Sequence, residues 1–214
     1  MIVKNPVPVT ENDVRSMAKM VKRGIRHIYL HWTEDHYDRL HDEYHFSVDP
    51  YGRVFANCNS LKDFKAHTWL RNHDSIGIAL CCGAGAKYRL PEKGYPRNAK
   101  GAVMGSGCKG KEYAFVDFGL EPPTYNQIEQ MAKLVAVLCD ELHLPIDEKI
   151  VQTHCEVAFK DCYGPGDGDP DTHWDLWFLP DVFKTGGRLT NGGDLLRCKA
   201  QYYRQLMEYD RVAV

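Results

Sequence analysis

The six residues Ser75-Ile76-Gly77-Ile78-Ala79-Leu80 carry no charge and are apolar at nearly every position. A strand with one face in water alternates polar and apolar residues; a strand buried on both faces does not. This run therefore needs a covering layer on each side, which a sheet packed between helices supplies. Other segments suit the same plan. Ile28–Trp32 reads as a second buried strand, and Glu43–Val48 as a third. Asp49-Pro50-Tyr51-Gly52 is a turn that returns Arg53-Val54-Phe55 as a hairpin partner, and Ile150–Thr153 is a further short strand. Thr10 is placed to cap a helix running to about Lys22, with Val14, Met17 and Val21 on one face. Thr124-Tyr125-Asn126-Gln127 forms a capping box. The helix it opens repeats Ile128, Met131, Val135, Leu138 and Leu142 at steps of three and four, with Pro145 ending it. The expected fold class is α/β, a central mixed β-sheet flanked by helices.

A chain of 214 residues suits one such domain with a modest extension. We place the domain at 1–185 and a helical extension at 186–214, its helix running from about Asp194 to Met207. Residues 83–121 are rich in Gly and Lys without periodicity and read as an inserted surface loop. Within them, Gly83-Ala84-Gly85 and Gly105-Ser106-Gly107 lack the Lys-Ser/Thr continuation of a phosphate loop.

Composition removes several function classes. Lys+Arg 27 against Asp+Glu 29 leaves a formal charge of -2, with no basic excess for nucleic acid. Apolar runs are much shorter than the roughly 20 residues of a membrane span. The start, MIVKNPVPVTENDV, has no apolar core of a secretion signal, so synthesis in the cytoplasm without a signal peptide is expected. The eight cysteines have no C-x-x-C pair. Cys81, Cys82 and Cys139 lie in apolar stretches and are expected as buried thiols, while Cys58, Cys108 and Cys198 could bridge in an oxidising compartment.

The ten histidines carry the chemistry. His31 follows one apolar strand and His154 another, and strand ends are where α/β sheets gather functional groups. A third ligand type follows His154, as Cys162 or one of Asp167, Asp169 and Asp171. Two imidazoles with a thiolate or carboxylate make a three-ligand zinc site, leaving the fourth tetrahedral position for water. Any one such histidine is more often an ordinary core or surface residue, so the case rests on the whole arrangement.

That arrangement resembles the zinc-dependent N-acetylmuramoyl-L-alanine amidases, the family of phage lysozyme-amidases and peptidoglycan recognition proteins. The matching pieces run in family order: LHWT at 30–33, EYHF at 43–46 followed by DPYGRVF, HTWLRNHDSIGIAL at 67–80, PPTYNQ before the long helix, THCEVA at 153–158, and DPDTHWDLW at 169–177. Together they cover roughly residues 25–180 outside the 83–121 loop.

The resemblance implies a Zn2+ cofactor held by His31, His154 and a third residue. One branch of the family has a Glu-Val-Ala-x-Lys-x-Cys pattern, which Glu156 to Cys162 fits, with Lys160 as the basic neighbour. The other heads an Asp-Pro…Trp motif with its ligand, which Asp169-Pro170 with Trp174 and Trp177 fits. Asp169 is preferred, because the GPGDGDPD loop can bring it back to His154, and Cys162 is the alternative. Tyr44 is implied as the catalytic tyrosine, Lys160 or His173 as the cationic oxyanion stabiliser, and His67 as a substrate contact. Some branches use a glutamate in the Ser-Ile-Gly-Ile strand as base, where this chain has Ala79.

The implied activity is hydrolysis of the amide joining N-acetylmuramic acid to L-alanine, on peptidoglycan or soluble muropeptides. The alternatives are a non-catalytic peptidoglycan-binding module and a Cys-His hydrolase built on Cys155, the latter disfavoured because neighbours on a strand face apart. Action on a periplasmic cell wall would follow release by phage lysis or by a secretion machine; a toxin would imply an immunity protein as partner.

Overall fold

The computed structural model describes residues 1–3, 6–21, 23–89, 115–165, 173–180 and 189–212. Among them, one mixed sheet is built from β1 (Pro8–Val9), β2 (His27–Trp32), β3 (Phe46–Val48), β4 (Val54–Ala56), β5 (Ser75–Leu80) and β8 (Val151–Thr153). Its strand order is β1-β4-β3-β5-β2-β8. β3, β5, β2 and β8 run parallel, and the β3–β4 hairpin and β1 add an antiparallel edge. The all-apolar run is thus central, between β3 and β2. The α/β class with a mixed sheet and flanking helices is the observed one.

Strand alternation divides the sheet chemically. Ile28, Leu30 and Trp32 of β2, with Ile76, Ile78 and Leu80 of β5, enter the main core. The long helix α2 (Tyr125–Glu141) covers that face with Ile128, Met131, Val135 and Leu138, all essentially buried. The opposite face carries Tyr29 and His31, paired in register with Gly77 and Ala79. The two small β5 residues leave space over the sheet for side chains arriving from loops.

Helix boundaries follow local chemistry. The Thr10 capping box closes with Asp13 and starts α1 (Glu11–Met20), which packs against α2. Thr124 and Gln127 cap α2 reciprocally. The buried Gln127 Nε2 also donates to the carbonyls of Val48 (3.0 Å) and Cys81 (2.8 Å), tying the helix start to two strand ends. α2 stops before Pro145, with His143 in the left-handed region at φ 55.

Four expectations change in detail. The third strand starts at Phe46 rather than Glu43, leaving Tyr44 and His45 in the approach to it. The 83–121 interval is not all loop: β6 (Lys87–Arg89) and β7 (Phe115–Asp117) form an antiparallel pair at its base, and residues 90–114 lie outside the described residues. His154 does not end a strand but opens α3 (His154–Lys160), because Thr153 and Glu156 form a capping box around it. The last helix, α4, spans Gly192–Val212 and packs along α2, with Leu196 and Ala200 fully buried. Before it, β9 (Phe178–Pro180) pairs with β10 (Leu189–Asn191). Cys81, Cys82 and Cys139 are buried free thiols. Cys58 and Cys198 are free, and Cys108 lies outside the described residues. Among the described residues no helix is long and apolar enough to cross a membrane.

Candidate metal centre

Parallel pairing of β2 with β8 places the C-terminal ends of the two strands side by side, Leu30 opposite Thr153. The next residues are His31 and His154, so two histidines distant in sequence meet with ring centroids 4.8 Å apart. Both are buried. The carboxylate between them is Asp175: its Oδ2 lies 2.9 Å from His31 Nδ1 and its Oδ1 3.2 Å from His154 Nδ1. One ligand atom from each of His31, His154 and Asp175 lies within 4.8 Å of the others.

The hydrogen bonds around His67 set its tautomer. Ser75 spends its single hydroxyl proton on the Arg71 carbonyl (2.7 Å), so at 3.3 Å it accepts from His67 Nε2–H. His67 Nδ1 is then an acceptor, facing the Thr68 hydroxyl at 3.0 Å and His31 Nε2 at 3.3 Å. His31 Nε2 also faces the Thr68 hydroxyl at 3.4 Å, and its Nδ1 faces the Asp175 carboxylate. Tetrahedral zinc at 2.0–2.1 Å from each ligand sets neighbouring ligand atoms about 3.3 Å apart, close to the 2.9 and 3.2 Å between the Asp175 oxygens and the two Nδ1 atoms. His154 Nε2 is also buried, without a hydrogen-bond partner among the described residues.

The protonation states agree with this reading. Burial pushes His31 down to about 4, so the ring stays neutral. Burial opposes ionisation of Asp175, but His154 and His31 outweigh it and hold the carboxyl well below its usual range. A neutral imidazole at His31 and an ionised carboxylate at Asp175 are the states a divalent ion requires of such ligands. The residues present fit zinc.

His154 and Asp175 line an open cavity of about 520 Å³, with Tyr44, His67, His173 and the acidic residues Glu34 and Glu43, and His31 lies buried behind them. Tyr44 stands against His31, ring centroids 5.0 Å apart. Burial and the nearby Asp175 raise its phenol, which therefore remains a proton donor at neutral pH. His67 is buried over Gly77, and burial with the adjacent His31 lowers its pKa. His45 packs edge-on against His67, ring centroids 5.8 Å apart, accepting from the Gly77 N–H at Nδ1 (3.0 Å) and donating from Nε2 to the Asp63 carbonyl (3.0 Å). His173 stacks on His154 at 4.5 Å.

Of the expected site residues, His31, His154, Tyr44 and His67 come together. Lys160 is exposed in the last turn of α3 and does not line the cavity. Cys162 is exposed, with φ 65, outside the three-residue cluster. Asp169 lies outside the described residues. Asp175, Glu34, His41 and Glu43 line the cavity and were not among the residues the sequence singled out.

The family model for N-acetylmuramoyl-L-alanine amidase matches residues 21–170. The chain belongs to that family, hydrolases of peptidoglycan amide bonds. No curated protein matches the chain. Among solved structures it is similar to the N-acetylmuramoyl-L-alanine amidase LysC from Clostridium intestinale URNW, at 15% identity and a TM-score of 0.38, covering 77% of this chain and 85% of that one. Membership of the family rests on the first of these findings.

Proposed function

We propose that this chain is a zinc-dependent amidase that cleaves the bond between the lactyl group of N-acetylmuramic acid and L-alanine in peptidoglycan or its fragments. The observation that carries the reading is the placement of Asp175 against ring nitrogens of both His31 and His154 on a cavity wall. Zinc, when bound, supplies Lewis acidity toward the amide carbonyl and makes hydroxide available near neutral pH.

The chain's own residues do the rest. His31 meets the ion as a neutral donor and Asp175 as the anion, and His154 supplies the third ligand atom. His67 and Thr68 stand against His31 Nε2 at 3.3 and 3.4 Å, which leaves Nδ1, beside Asp175, to face the metal. Tyr44, held protonated, donates a hydrogen bond to the oxyanion that develops as the amide carbonyl is attacked. Ala79 offers no carboxylate in β5, so no acid from that strand takes part. The open cavity admits a polymeric substrate.

The test is metal analysis of the purified protein together with release of stem peptides from purified sacculi. Zinc at one per chain, chelator-sensitive release and newly exposed L-alanine amino groups are expected. Tyr44→Phe should retain zinc yet lose on the order of 10²-fold in kcat. Sacculus binding without cleavage would instead establish a non-catalytic binding module.

A further inference from the structure

The start of the C-terminal helix α4 touches two of the three residues of the metal cluster through their chain neighbours. Arg197, only 5% exposed, reaches out of α4 toward the turn that carries His154. Its Nη1 donates to Glu156 Oε2 (2.8 Å) and to the Val151 carbonyl (3.0 Å), and its Nη2 donates to Glu156 Oε1 (2.9 Å). Glu156 Oε2 in turn accepts the Thr153 N–H at 2.9 Å, while Thr153 Oγ1 caps the Glu156 N–H at 3.2 Å. His154 sits between those two capping residues. The planar fork of Arg197 therefore locks the carboxylate that sets where α3 begins, and with it the position of the His154 ring.

The same helix start abuts the other ligand. The Gly192 N–H donates to the Trp177 carbonyl (3.2 Å), and a Cβ at Gly192 would stand 2.0 Å from the Leu176 carbonyl oxygen. Asp175 immediately precedes that pair. At Gly193, a Cβ would fall 2.3 Å from Glu156 Oε1. Two glycines thus let α4 close against both ligand-bearing segments at once, in a part of the chain beyond the residues 21–170 of the family match.

We infer that Arg197, with the Gly192–Gly193 helix start, is a positioning element of the metal centre that holds His154 and Asp175 in coordinating geometry. This rests on the proposed zinc site. Arg197 touches neither metal nor substrate; it acts through Glu156 and the Val151 carbonyl. Removal of such outer partners lowers metal affinity by about 10–100-fold.

The test is titration of the metal-free full chain with Co2+, read by visible absorption, and with Zn2+ against a competing chelator. Wild type, Arg197→Met, Arg197→Lys and Gly193→Ala are compared, with circular dichroism to confirm folding. Expected are a tetrahedral Co2+ spectrum in wild type, an affinity at least tenfold weaker with an altered spectrum in Arg197→Met, and partial recovery in Arg197→Lys. Gly193→Ala decides the matter if Arg197→Met does not fold. Alanine is the better helix residue there, so weaker metal binding in that variant reports displacement of Glu156 rather than loss of helix. Affinity and spectrum unchanged in the folded variants would overturn the positioning role while leaving the metal centre standing. A wild-type chain that binds neither ion would overturn both.

Discussion

Gly77→Ala puts a methyl group where the structure has none to spare. A Cβ at Gly77 would lie 2.6 Å from His67 Cγ, 2.7 Å from Cδ2 and 2.9 Å from Nδ1. Carbon atoms in comfortable contact are about 3.5–4.0 Å apart, so the ring would have to recede by about 1 Å. It has nowhere to go, because Thr68, Ser75 and His31 hold its two nitrogens. Overpacking of this kind costs about 1–3 kcal/mol. For a chain of this size each kcal/mol moves Tm by roughly 2–4 °C, so a fall of about 2–12 °C is expected in metal-free protein followed by circular dichroism. The sign is informative, because Gly→Ala at an unstrained position stabilises by about 0.4–1 kcal/mol. In a His67→Ala background the clash disappears, and Gly77→Ala should become neutral or stabilising. The two substitutions should therefore couple strongly in a double-mutant cycle. A Gly77→Ala cost that is the same with and without the His67 ring would refute the packing described for this face of the sheet.

Three further outcomes are expected. Gln127→Leu, which strips donors from the buried Val48 and Cys81 carbonyls, should destabilise by about 2–3 kcal/mol in urea unfolding; a change within about 0.5 kcal/mol would argue that water serves those carbonyls. His45, held neutral by burial, is lowered to about 4. Because its folded pKa is depressed, its contribution to stability is complete above about 6.5 and is lost as pH falls through about 4. An NMR titration should show its ring neutral and protonated at Nε2 at pH 5; a midpoint near 6.5 would contradict this. Finally, Cys162→Ala should keep full metal content whereas Asp175→Asn should lose at least tenfold in affinity, and the reverse pattern would return the thiolate to the site.

Much of this architecture can be read from the residues because it follows from burial periodicity. SIGIAL had to be central, and the 128–142 pattern had to cover one face of a sheet. His31 and His154 were legible for the same reason, each standing where an apolar strand runs out. Asp175 was not. The nearby DPD and Cys162 offered better-known patterns, and Asp175 stands among the large apolar residues Trp174, Leu176 and Trp177. A signal was nevertheless present: an aspartate among large apolar residues is buried only when paired, and the available partners were the two strand-end histidines. Glu34 was hidden in a polar stretch whose path depends on a left-handed residue, φ 53, which no periodicity reveals. The role of α4 was hidden as well, since nothing local to Arg197 discloses that its carboxylate partner lies forty-one residues earlier.

The decisive observation is the location of the ion itself, from anomalous diffraction at the zinc edge on crystals of the intact chain. One peak in bonding contact with His31, His154 and Asp175, beside Tyr44, is expected. A peak coordinated by Cys162 or Asp169 instead of Asp175 would displace the third ligand, and the absence of any peak between the two imidazoles in zinc-loaded crystals would remove the basis for hydrolysis.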